Sequence, residues 1–279
     1  MRLAKCFILR NDINTARETL IKAQETCKNQ EAIYFARVHL EKECDDLEKA
    51  REIIKEAREK LTESENCWLE SIKLERQFGK HNESLKIAKE GTAKQPNSIK
   101  IILELAKIYE DLNMPNDAKK LLERATSTKA GKVDTSLWIK LILLEEKFIG
   151  VKKARAVYES CKARLNFMKN AELWYQVIKM EQRANNNEAV KSMVSLALKE
   201  CPSFGDLWSI GIELETKSRR KAKSIDALQK CEDVYVILSV MKLFWSERKM
   251  EKTRSWLERA VQLSPSVGDA WAYYFKFIE

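Results

Sequence analysis

The stretch DTSLWIKLILLEEKFIGVKKARAVYESCKARL, residues 134–165, decides the fold. It reads as a helix, a turn and a second helix. Apolar residues run from Leu137 to Leu144, Glu145 follows, Gly150 breaks the pattern, and Ala154, Val157, Tyr158 and Cys161 resume at helical spacing. Trp138 stands seven residues before Glu145, two turns earlier on one helical face. Ala154 and Arg155 open the second helix, where a small residue permits close approach to a neighbour.

Working outward, the same unit recurs. A glutamate closes one apolar stretch after another at Glu41, Glu75, Glu110, Glu145, Glu181 and Glu215, with successive separations of 34, 35, 35, 36 and 34 residues. Four of the units pair it with a tryptophan seven residues earlier: Trp68, Trp138, Trp174 and Trp208. Polar turns containing Gly79, Asn113, Gly150 or Asn185 to Asn187 follow, and second helices open with Ala16-Arg17, Ala50-Arg51, Ala118-Lys119 or Ala154-Arg155. Pro96, Pro202 and Pro265 punctuate the joints between units, where a proline cannot continue a helix. A unit of ~34 residues cannot bury its apolar face alone, so neighbouring units must stack. The expectation is an all-α solenoid of antiparallel helix pairs, about eight and a half repeats forming a single domain over residues 1–279. Both ends fall inside first helices, Leu3 to Leu9 and from Asp269 to Glu279, and a fragment from the C-terminal region of a longer chain is expected.

Composition is consistent with this and excludes several alternatives. The 279 residues contain only 7 Gly and 4 Pro, too few and too dispersed for a P-loop or a dinucleotide-binding glycine motif. With 44% hydrophobic and 33% charged residues, the chain has both a core and a coat. Lys and Glu interrupt every apolar run before the ~18 residues a membrane span requires. The seven cysteines are scattered without a C-x-x-C pair, so neither a disulfide framework nor a zinc site is expected. His39 and His81 are the only histidines and fall in different repeats without a nucleophile beside them, so no catalytic site, metal or cofactor is expected. The formal net charge of +9 permits an acidic partner or nucleic acid without requiring either.

On Trp138, Glu145, Ala154, Arg155 and Tyr158 the chain resembles the half-a-tetratricopeptide (HAT) repeat family, with Trp and Glu in the first helix and Ala-Arg with a following aromatic in the second. The resemblance implies a right-handed α-solenoid and a place in an RNA-processing assembly: splicing, cleavage and polyadenylation, or ribosome biogenesis. Lys223 to Cys231, Val240 to Ser246 and Gly268 to Phe277 further resemble the C-terminal repeats of the pre-mRNA-processing factor 6 family, although Ile278 stands where the last repeat should carry Glu. That resemblance implies a nuclear, non-catalytic scaffold of the spliceosomal tri-snRNP, with snRNP proteins as partners and some snRNA contact. Direct RNA binding and a 3'-end-processing scaffold remain the alternatives.

Copying into each unit marks Trp68, Glu75, Trp138, Glu145, Arg155, Trp174, Glu181, Trp208, Glu215 and Trp271 as a structural signature, with Glu145 pairing Arg155 as one expected ion pair. Function is sought where the period fails. From Glu215 to the next first-helix end near Trp245 the step is 30, and the residues in between include Lys217, Arg219, Arg220, Lys221 and Lys223 with no acid among them. This run is either a solvated loop or import address, or a concentrated field for phosphates or an acidic partner. No aromatic interleaves it, which weakens the case for stacking bases. Lys73, Lys179 and Lys276, each five residues after a Trp, are the remaining partner-binding candidates.

Overall fold

In the computed structural model, residues 7, 10, 12–27, 29–164 and 169–278 are described, with side chains omitted at 163 and 164. The expected half-helix at Leu3 to Leu9, apart from Phe7, and the terminal Glu279 lie outside them. Among the described residues there are helices and turns and no strand. The helices are α1 Ile13–Thr26, α2 Glu31–Glu43, α3 Leu47–Lys60, α4 Glu65–Gln77, α5 His81–Lys94, α6 Ile99–Asp111, α7 Pro115–Ser127, the single turn α8 Lys129–Val133, and α9 Thr135–Phe148. Beyond Gly150 come α10 Val151–Arg164, α11 Ala171–Arg183, α12 Asn187–Glu200, α13 Gly205–Leu214, α14 Lys217–Lys230, α15 Val234–Ser246, α16 Met250–Leu263 and α17 Gly268–Ile278. The chain is an all-α array of helical repeats. Its packing divides it into two compact units, Met1–Phe148 and Ile149–Glu279.

Within each unit a second helix packs against the first helix of its own repeat and against that of the next, as α3 does on α2 and α4, and α16 on α15 and α17. The reason is legible in the second helices. Apart from α14, which has the half-buried Arg220, their fourth position is occupied by Ala16, Ala50, Ser84, Ala118, Ala154, Val190 and Thr253, all fully buried. Their eleventh position is small throughout: Ala57, Gly91, Ala125, Cys161, Ala197, Ala227 and Ala260 are buried there, and Ala23 of α1 is half-buried. A Cβ added to Gly91 would sit 3.2 Å from the Trp68 ring, so the small residue is what lets the tryptophan approach the neighbouring helix closely.

First helices end in a common way. Asp45, Gly79, Asn113, Asn185 and Arg248 adopt left-handed backbone with φ between +56° and +71°. The amide that follows returns to the carbonyl five residues back, as Asp46 to Glu41, Lys80 to Glu75, Met114 to Tyr109, Asn186 to Glu181 and Lys249 to Phe244. This closure satisfies carbonyls that would otherwise be orphaned and turns the chain tightly into the second helix. The joint between repeats is held from the other side. The indole N–H of Trp138 donates to the Lys132 carbonyl, that of Trp208 to Pro202 and that of Trp271 to Pro265, at 3.3, 2.8 and 2.9 Å, six residues upstream in each case.

Candidate partner-binding surface

The fifth position of the second helix is basic in most repeats. Its side chain reaches the glutamate near the end of the next repeat's first helix. Arg17 Nε and Nη2 donate to Glu41 at 2.8 and 2.6 Å; Arg51 donates likewise to Glu75, and Arg155 to Glu181, all at 2.7 Å. These are two-pronged, charge-assisted bonds to buried carboxylates. Donation to the carboxylate raises each of the three guanidinium pKa values. The Arg155 hydrogen bonds, with a further one from Asn186, hold Glu181 below the usual carboxylate range against the opposing effect of burial.

The expected pairing of Glu145 with Arg155 is therefore corrected. Glu145 takes Lys119 Nζ at 2.7 Å from the repeat before it, and Arg155 serves the repeat after it. A second helix lies between two first helices, and its fifth position faces the later one. Lys119 is a point donor, and Glu145 Oε2, fully buried, accepts no hydrogen bond. One joint between repeats lacks both partners of the pair. Leu85 occupies the basic position of α5, and Tyr109 occupies the glutamate register of α6. Glu110 is one residue out of register and is reached instead from α9 by Lys140 at 2.7 Å.

The seventh repeat departs from the pattern in a different way. Its first helix α13 stops after 10 residues, with Glu215 as an extended cap at φ −75° and ψ 154°, so the left-handed closure is absent there. Glu215 is partly exposed and lies beyond the helix, and no ion pair of its carboxylate is recorded among the described residues. Arg220 supplies the missing donors, bonding the carbonyls of Glu215 and Glu213 at 2.9 and 3.0 Å. The basic run itself is not a loop. Residues 217–223 form the N-terminal half of helix α14. The missing turn was lost from the first helix, which leaves the run free to begin the second.

That placement sorts the five cations. Arg220 caps α13, Lys221 Nζ lies 3.3 Å from Glu247, and Lys223 Nζ sits 5.6 Å from the centre of the buried Trp208 ring. Lys217 and Arg219 are exposed and make no ion pair among the described residues. Of the first-helix lysines, Lys73 pairs with Glu70 on its own helix at 3.1 Å, Lys179 lies 5.5 Å from the Tyr175 ring, and Lys276 is exposed on α17. The signature tryptophans also divide. Trp68, Trp138, Trp174 and Trp208 are 2 to 7% exposed, whereas Trp271 is 49% exposed.

Cys161 is buried, and desolvation pushes its thiol up to about 12, while Cys27 is exposed at the end of α1 and is not a packing residue. Among the described residues no group of three or more His, Cys, Asp or Glu side chains could hold a metal ion, and no helix is long and apolar enough to cross a membrane.

Relatives sharpen the picture. The chain is 34% identical over 151 residues to pre-mRNA-splicing factor prp1 of Schizosaccharomyces pombe, covering 54% of this chain and 16% of that protein. It is 52% identical over 62 residues to human pre-mRNA-processing factor 6, covering 22% of this chain and 7% of that protein. The chain is a helical-repeat protein that resembles pre-mRNA-processing factor 6. Protein STABILIZED1 of Arabidopsis thaliana is 53% identical over 62 residues, covering 22% of this chain and 6% of that protein. The chain thus spans about one sixth or less of the length of these relatives. No family model matches it. Among solved structures, Pseudomonas aeruginosa pilF has a TM-score of 0.45 at 14% identity, covering 76% of this chain and 95% of that one. A tetratricopeptide repeat protein from Parabacteroides merdae has a TM-score of 0.43 at 12% identity, covering 100% and 97%.

Proposed function

We propose that this chain is a non-catalytic, nuclear scaffold segment of a pre-mRNA splicing factor, bridging spliceosomal tri-snRNP components through protein contacts. The observation that carries this reading is the match of about half the chain to a splicing factor, rising above 50% identity over 62 residues in the human and plant relatives. The geometry supports a scaffold. The repeated Arg–Glu pairs and indole bonds are spent on holding repeats together, and the residues that escape this role are exposed cations in the irregular seventh repeat. The named functions of the relatives favour splicing over 3'-end processing.

The chain, immobilised and incubated with nuclear extract, should capture tri-snRNP proteins above a scrambled-surface control. Capture of cleavage and polyadenylation factors instead would replace this reading with the 3'-end alternative.

A further inference from the structure

In the first unit, α2 packs between α1 and α3, and the groove left between those two helices holds two adjoining cavities. One, of about 550 Å³, is lined by all three helices, with Gln24, Glu25, Tyr34 and Lys60 among its walls. The other, of about 290 Å³, extends to Lys49, Glu52 and Ile53. Ile21 and Arg37 line both, so the two form one cleft. Along α3 the cleft runs from Lys49 to Lys60, about 16 Å of helix. Ile21 stands in its middle, 44% exposed.

Much of the polar capacity of this cleft is already matched. Arg17 serves Glu41, Lys49 pairs with Asp46 at 2.6 Å, and Lys60 pairs with Glu56 at 2.6 Å. Gln24 donates to Glu56 at 3.0 Å and accepts from Arg37 Nη1. The remainder is specific. Tyr34 is fully buried, and its hydroxyl makes no hydrogen bond. Lys60 comes near enough for Tyr34 to add, after Glu56, to the rise in the lysine pKa, yet it completes no bond to the hydroxyl. Arg37, three residues on along the same face of α2, bonds through Nη1 alone, so Nε and Nη2 donate to nothing among the described residues. Glu25 and Glu52, one in each cavity, are exposed and make no ion pair among the described residues. A buried hydroxyl without a partner is uncommon enough to require an explanation.

We propose that this cleft binds an extended peptide segment in which an apolar residue has a Lys or Arg two positions to either side. The free groups on the cleft floor, Tyr34 Oη and the Arg37 nitrogens, are donors in need of acceptors. An extended backbone offers its carbonyls in that role, whereas a helix has already used its own. Alternate side chains of an extended segment share one face, and a five-residue core spans about 13 Å, within the length of the cleft. The apolar residue rests on Ile21, and the two basic residues meet Glu25 and Glu52. Lys60, whose side chain is half exposed, swings aside to let a carbonyl reach the Tyr34 hydroxyl. An acidic segment would be repelled by Glu25 and Glu52, and a polyamine would match those acids but bring no acceptor. This inference goes beyond the scaffold reading and does not depend on which assembly the chain enters.

The test uses the purified 279-residue chain and the fluorescein-labelled peptide GSKALAKSG, read by anisotropy at physiological ionic strength. The peptide should bind saturably, and its charge-reversed form GSEALAESG should bind at least about tenfold more weakly. Replacing the central leucine by glycine should cost about fivefold or more, because an apolar contact is lost. The combined substitution Glu25→Lys and Glu52→Lys changes two exposed side chains without ion-pair partners and should weaken binding at least about tenfold. Glu200→Lys with Glu258→Lys, the same change of charge in the other unit, should leave binding unchanged. Tyr34→Phe should weaken binding about threefold or more while keeping or raising the melting temperature, since an unpaired buried hydroxyl is removed. The proposal is overturned if GSKALAKSG shows no saturable binding, if GSEALAESG binds as well, or if the distant pair of substitutions weakens binding as much as the pair in the cleft. Unchanged affinity in Tyr34→Phe would also overturn it, leaving the hydroxyl as a packing residue.

Discussion

Replacing Lys119 with Arg should stabilise the protein. Glu145 is 1% exposed and receives one donor, Lys119 Nζ at 2.7 Å on Oε1, while its Oε2 is buried without any. An unmet buried acceptor costs about 1–3 kcal/mol. An arginine reproduces the fork that Arg155 presents to Glu181 at the same separation of 26 residues, Nε to one oxygen and Nη2 to the other. Part of the gain is offset by ordering a longer side chain in a partly solvated position, so the net should be about 1 kcal/mol, or a melting shift of ~2–4 °C. The reverse changes supply the control. Arg51→Lys strips Glu75 Oε2 of its donor and should cost about 1–2 kcal/mol. Arg155→Lys should cost less, because Asn186 still donates to Glu181 Oε2 at 2.9 Å. Urea and thermal unfolding of the three variants would check the order. A neutral or destabilising Lys119→Arg, together with a harmless Arg51→Lys, would refute the view that the fork matters.

Gly205→Ala should destabilise the second unit by about 1–3 kcal/mol, since its Cβ would fall 2.1 Å from Oδ1 of Asp233, the residue that caps α15 through the Tyr235 amide. The same substitution in an Asp233→Gly background should cost far less, as circular dichroism melts would show. Trp174→Ala should cost about 3–5 kcal/mol, whereas Trp271→Ala, already half exposed, should cost under about 2. Equal losses would mean that the tryptophan is not acting through burial. Asp206 has its pKa raised by desolvation and by the charges of Asp233 and Glu172, so its ionisation opposes folding. Asp206→Asn should therefore raise the melting temperature at pH 7, and the advantage should vanish as pH falls below the ordinary aspartate range, where the parent carboxyl is protonated in both states. The sign is opposite for Glu181, whose lowered pKa gives a contribution present above the ordinary carboxylate range and lost as pH drops through the folded-state value.

The helix pairs were legible because burial imposes a period and proline, glycine and asparagine mark its joints. The left-handed closures at Gly79, Asn113 and Asn185 are visible as residue types, as is Asp45, while Arg248 fills the same role without that preference. The ion pairs were legible as residues but not as partners. Arg155 looks ten residues back to Glu145 in sequence, yet it reaches 26 forward to Glu181, and only the stacking of one repeat on the next decides between them. A spacing of 24 to 26 between basic residue and glutamate would have revealed the rule. The basic run gives little sign of a helix in the sequence, because four cations suit a helix start poorly, and its aromatic neighbour Trp208 lies 15 residues before Lys223, a distance that only the packing of α13 on α14 closes.

That the two-pronged Arg17–Glu41, Arg51–Glu75 and Arg155–Glu181 bonds each join one repeat to the next determines how the molecule comes apart. In a linear array, stability divides into what each unit holds by itself and what it shares with its neighbour. Breaking one of these bonds weakens the shared part, so each repeat keeps its own strength but loses notice of the next. Such a variant should unfold over a wider span of urea with a smaller slope, in stages. The joint between the repeats bearing Leu85 and Tyr109 already lacks this bond, and it is where the first unit should part first.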